Sequence, residues 1–113
     1  MLGRMREPIV VLVTVPSREV GEALAEALVG DGLAACVNLL GEMRSIYRWQ
    51  GKIEREREQL CLIKTTRDAF AALRARVVAL HPYEVPEVIA LPLSDGHAPY
   101  LDWILGAVTA RDA

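Results

Sequence analysis

The chain has 113 residues, enough for one domain with a modest hydrophobic core. Apolar residues make up 52% and charged residues 25%, which excludes an intrinsically disordered chain. The formal net charge of −2 gives no electrostatic footprint for nucleic acid or an anionic membrane, and no apolar run reaches the roughly eighteen residues of a membrane-spanning helix.

Residues 1–8 read as an N-terminal tail and 9–113 as a single domain. The basic start followed by an apolar stretch resembles the opening of a signal peptide. Ser17-Arg18-Glu19 stands where a small-residue cleavage site would be needed, so none is expected. Residues 9–15 form a run rich in Val and Ile, the mark of a strand covered on both faces. Ser17 is a candidate N-cap. Val20, Ala23, Leu24, Ala27 and Leu28 then recur at helical spacing, and Asp31-Gly32 stops the helix.

Residues 33–66 read as two long strands around the turn Trp49-Gln50-Gly51-Lys52. About fifteen residues per strand at ~3.4 Å each reach ~50 Å. A domain of this size has a diameter nearer ~30 Å. The hairpin is therefore expected to project past its own core and to need a partner, most simply another copy of the chain. Leu33, Ala35, Val37, Leu39, Met43, Tyr47 and Trp49 alternate onto one face, with Arg44 and Arg48 on the other. Gly41 interrupts the series and marks a bend or bulge. Glu54-Arg55-Glu56-Arg57-Glu58 reads as strand, its charges joining Arg44 and Arg48 in a cross-strand ladder. With Trp49 across from Lys52, Cys36 falls opposite Thr65 and Cys61 opposite Leu40. That register leaves two unpaired thiols and points to a reducing, cytoplasmic compartment.

Thr65-Thr66-Arg67-Asp68 reads as a capping sequence. Phe70, Leu73, Val77 and Leu80 make a second helix, which His81-Pro82 ends. Residues 85–93, bracketed by prolines, read as a shorter strand. After Asp95-Gly96, the residues Tyr100, Leu101, Ile104, Ala107 and Val108 give a final helix. The order β-α-β-β-α-β plus a C-terminal helix is the ferredoxin-like arrangement of the α+β class. Two helices cover one face of a four-stranded antiparallel sheet. The other face is open, and self-association is the simplest way to cover its aromatic residues.

Nucleophile-elbow and phosphate-cradling motifs are absent, and an enzyme is not expected. The spacings of structural zinc and EF-hand calcium sites are absent as well. What remains for a metal is His81-Pro82-Tyr83-Glu84-Val85-Pro86-Glu87, where His81 and Glu84 or Glu87 could share a cation. A histidine ending a helix also complements the dipole there, so a structural role stands beside the metal role. Trp49, Lys64 and Tyr83 are the candidate contacts for a small anionic ligand in a cleft between subunits.

Ala34-Ala35-Cys36-Val37-Asn38, Ser45-Ile46-Tyr47-Arg48-Trp49-Gln50-Gly51-Lys52-Ile53, Ile63-Lys64-Thr65 and the His81 to Glu87 segment together resemble the CutA divalent-cation tolerance proteins. Tyr100-Leu101-Asp102-Trp103-Ile104 is similar to that family's terminal helix. The resemblance implies a ferredoxin-like subunit, akin in architecture to the PII signalling proteins, assembled as a homotrimer through its long hairpins. It implies a cytoplasmic role in tolerance to copper and other divalent cations, with copper the metal of the family's proposed site. That site uses a cysteine on the first strand and two histidines before the Pro-Tyr pair. Val13 and Leu80 stand at the matching positions here, which leaves His81, with Glu84 as a helper, and no sulfur ligand for Cu(II). The alternative is a PII-like small-ligand sensor, or a protein adaptor or scaffold, with inter-subunit clefts.

Overall fold

The computed structural model describes residues 6–110. The first five residues of the expected tail and the last three of the expected domain lie outside them. Strand β1 (Pro8–Val15) opens the fold and occupies the middle of a sheet ordered β2-β3-β1-β4. It pairs antiparallel with β3 (Lys52–Thr66) from Pro8↔Thr66 to Val15↔Gln59, and with β4 (Val88–Pro92) from Ile9↔Pro92 to Val13↔Val88. Ile9, Val11, Val13 and Val15 are all buried on the helix side, while Leu12 and Thr14 alternate onto the opposite face.

Helix α1 (Arg18–Gly30) begins where Ser17 Oγ accepts the Val20 amide at 3.2 Å, the cap its sequence called for. Leu24 and Leu28 bury its inner stripe. Gly21 is needed there because an added Cβ would lie 3.1 Å from Leu39 and 3.2 Å from Val15. The helix ends as the Asp31 amide returns to Ala27 O and the Leu33 amide to Leu28 O, with Gly32 at φ +73°.

Strand β2 (Cys36–Trp49) and β3 form the expected hairpin, with Trp49 across from Lys52. Gln50 at φ 50° and Gly51 at φ 80° close it in two residues, the positive-φ pair of a type I′ turn. The strands are 14 and 15 residues long, and they draw the molecule out to 44 × 26 × 25 Å. The projecting arm is therefore real. Its start differs from the expected residue 33: Leu33 and Ala34 are buried connectors, and pairing begins at Cys36.

The interruption at Gly41 is a one-residue bulge. Leu39 faces Cys61 and Glu42 faces Gln59, so β2 takes three steps while β3 takes two. Two expectations change as a result. Cys36 faces Lys64 rather than Thr65, and Cys61 faces Leu39 rather than Leu40. The single apolar face of β2 is split in two. Val37 and Leu39 pack into the core, whereas Met43, Ser45, Tyr47 and Trp49 share the open face with Glu58, Glu56, Glu54 and Lys52. Separately, the charge ladder does not form, because the Trp49–Lys52 pairing itself places Arg44 opposite Arg57, Ile46 opposite Arg55 and Arg48 opposite Ile53. The arm carries carboxylates and aromatics on one side, guanidinium groups and isoleucines on the other.

A 3₁₀ turn (Arg67–Ala69) leads into α2 (Phe70–Leu80), whose Leu73 and Val77 are buried while Leu80 is exposed. Thr66 does not cap an amide as expected; its hydroxyl bonds Asp68 Oδ1 at 2.5 Å. Strand β4 is shorter than the expected 85–93 because Pro86, which has no N–H to donate, precedes it. Helix α3 (Ala98–Ala107) packs Ile104, with Val108 and Ala69, into a second small cluster. The Thr109 and Ala110 amides both bond Gly32 O at 3.0 Å, tying the end of the fold to the α1 stop.

Candidate functional site

The open sheet face is a groove of about 1070 Å³. Its floor is Leu12 and Thr14 of β1 with Leu60 of β3, one wall is Met43, Tyr47 and Trp49 of β2, and its rim is the segment 82–87. The bulge is what turns the aromatic half of β2 toward this groove.

A chain of hydrogen bonds fixes the rim to the sheet. The Tyr83 amide donates to His81 Nδ1 at 3.1 Å, so the ring proton sits on Nε2, which donates to Thr14 O at 2.7 Å. The two rings pack with centroids 4.6 Å apart. Tyr83 Oη then donates to Glu58 Oε2 at 2.8 Å. Burial, followed by the bond to Glu58 and its charge, pushes the Tyr83 phenol well above its ordinary range. The Tyr47 phenol is also raised, by loss of water and then by Glu56, Glu58 and Glu54. This side of the arm therefore carries a negative potential.

The expected site residues divide. Trp49, Tyr83 and Glu84 line the groove together. Lys64 does not: its Nζ donates to Asn38 Oδ1 beside Cys36, six residues or ~20 Å along β3 from Glu58. Glu56, Glu58, Glu84 and Glu87 line the groove against Arg57, which leaves its formal charge negative within one chain. Glu58 is the residue that sequence reasoning passed over. It is only 7% exposed, yet it reads as one member of a solvated charge run. Its one signal is position, two residues before the apolar segment that returns the strand to the core.

His81 is buried and both ring nitrogens are engaged, so neither has a lone pair free for a metal. Val13 is wholly buried in the core, and Leu80 is exposed at the end of α2. Cys61, across the strands from Val13, is buried among apolar groups that push its thiol up to about 11, the reverse of what a thiolate ligand needs. Among the described residues no three His, Cys, Asp or Glu side chains converge on a point that could hold a metal ion. The residues present do not fit a preformed copper centre, and the structural role of the helix-ending histidine is the one this geometry carries.

The family described as CutA1 divalent ion tolerance protein matches residues 9–107. A divalent-cation tolerance protein CutA of Thermus thermophilus is 56% identical over 95 residues, covering 84% of this chain and 92% of that one. The chloroplastic protein CutA of Arabidopsis thaliana is 48% identical over 96 residues, 85% of this chain but 53% of its own length. The chain thus spans about half of that plant relative. The solved structure of the Thermus thermophilus divalent cation tolerance protein superposes with a TM-score of 0.88 at 52% identity, covering 90% of this chain and 99% of that one. Family and fold agree from the first strand to the last helix, and the chain belongs to the CutA1 family of divalent ion tolerance proteins.

Proposed function

We propose that the chain serves divalent-cation tolerance as a non-enzymatic homotrimer in the cytoplasm. The observation that carries this reading is the arm. Ile46 and Ile53 are 68% and 54% exposed on one side, and Tyr47 and Trp49 are exposed on the other. A two-stranded ribbon bearing large apolar groups on both faces is poorly stable alone and asks for cover. Copies related by rotation supply that cover in a closed ring. Two free cysteines, Cys36 and Cys61, support a reducing compartment. Copper(II), the metal the resemblance implies, has no preformed seat at His81 and Glu84. The proposed role therefore runs through the assembled protein rather than a copper ion held at His81.

Growth of a CutA-deficient bacterium under Cu(II) or another divalent cation tests the proposal. Wild type and Glu84→Ala are expected to restore tolerance, and the arm variant Ile46→Asp/Ile53→Asp to fail. Full rescue by the arm variant would remove assembly from the mechanism. The shared position of Trp49 and Tyr83 favours a second reading, a PII-like small-ligand sensor or protein adaptor with clefts between subunits.

A further inference from the structure

We propose that copies of the chain dock head to tail, the guanidinium and isoleucine side of one arm seating on the carboxylate and aromatic side of the next. The proposal rests on the homotrimer reading and names the two surfaces that meet.

The hairpin register sets the two sides. Residues directly opposite each other in a strand pair share a face, so Ile46 and Arg48 lie with Arg55 and Ile53, and Arg44 extends the same side. The alternate pairs, Ser45 with Glu56 and Tyr47 with Glu54, lie on the other. Like charges are therefore gathered on each side rather than offset across it. Among the described residues, none of Arg44, Arg48, Arg55, Glu54 and Glu56 is in an ion pair within its own chain. None of the five is buried, so water balances these charges in a single chain. Glu58 already accepts from Tyr83 and Arg57 itself lines the groove, so neither is invoked as a contact.

Each side supplies what the other lacks. A guanidinium group stacks on ring faces and forks onto carboxylates, and Tyr47 and Trp49 stand beside Glu54 and Glu56 to receive it. Ile46 and Ile53, 68% and 54% exposed, need apolar cover, and the groove floor of Leu12, Leu60 and Met43 is apolar. Sheets packed face to face at ~10 Å let such side chains interdigitate. A two-fold pairing would instead set the same patch against itself, carboxylates on carboxylates or guanidinium groups on guanidinium groups, which is repulsive. Head-to-tail contact uses both sides of every arm, and a rotation that closes makes a ring rather than a pair. Both apolar faces of the ribbon are then covered by one kind of interface.

Light scattering of the full chain across a dilution series, with circular dichroism on each sample, tests the docking by charge reversal. Arg48→Glu/Arg55→Glu adds acid to the basic side, and Glu54→Arg/Glu56→Arg adds base to the acidic side. Each is expected to weaken association about tenfold or more, because every interface then opposes like charges. The four changes combined in one chain invert both sides and should restore the wild-type mass. Either pair of changes leaving association as in wild type overturns the proposal, and so does a folded four-fold variant that stays dissociated. In both cases a wild type with the mass of three chains leaves the homotrimer reading standing. A wild type with the mass of one or two chains sinks both.

Discussion

Replacing His81 by alanine separates a structural histidine from a metal ligand. The ring donates from Nε2 to Thr14 O at 2.7 Å, accepts the Tyr83 amide at 3.1 Å and packs on the Tyr83 ring. Truncation strands a buried carbonyl and a part-buried amide, each worth about 1–3 kcal/mol when left unsatisfied. Loss of the ring pair adds about 0.5–1.5 kcal/mol. Allowing for partial entry of water beside the exposed Pro82, the expected loss is about 2–4 kcal/mol. Urea unfolding at fixed protein concentration measures it, the concentration being held because assembly contributes to apparent stability. Equilibrium dialysis against Cu(II) on the same samples supplies the second readout, and folded His81→Ala should bind as much copper as wild type. The reasoning is refuted if His81→Ala is as stable as wild type and loses bound copper.

Gly32→Ala should destabilise the fold by about 2 kcal/mol or more, read by denaturant unfolding. Its φ of +73° disfavours any side chain, and the added Cβ would collide with Thr109 Oγ1 where the C-terminal segment docks. The Cys61 thiol should make stability depend on alkaline pH. Burial raises its pKa from 9.0 to about 11, so the unfolded chain releases the proton first. The contribution is complete below pH 9 and is lost as pH rises toward 11, at about 1.4 kcal/mol per pH unit. Cys61→Ala should flatten that part of the pH profile. Thiol labelling at neutral pH should reach half-buried Cys36 well before Cys61, which waits for unfolding.

The elements legible in the sequence were those whose cause is local. A Val- and Ile-rich run made β1, one hydroxyl made the α1 cap, and a Gln-Gly pair made the hairpin turn. The arm's length followed from counting residues on either side of that turn. What escaped was the consequence of one extra residue. A glycine within a strand announces a bulge, but which strand carries the surplus is decided by pairing with residues some twenty positions away. Because alternation has a period of two, that surplus moved Met43, Tyr47 and Trp49 off the core face. The site was half legible for a related reason. Trp49, Tyr83 and Glu84 do share the groove, but Lys64 lies too far along the same strand. The state of His81 depends on Thr14, 67 residues earlier, and the burial of Glu58 on Tyr83, 25 residues later. No local pattern encodes contacts of that span.

The central claim is that an arm with apolar groups on both faces is stable in water only when copies of the chain cover one another. Size-exclusion chromatography with light scattering at micromolar concentration tests it directly. A single species with the mass of three chains is expected for wild type, with Ile46→Asp/Ile53→Asp shifted toward single chains. A stable, folded wild-type monomer would contradict the account.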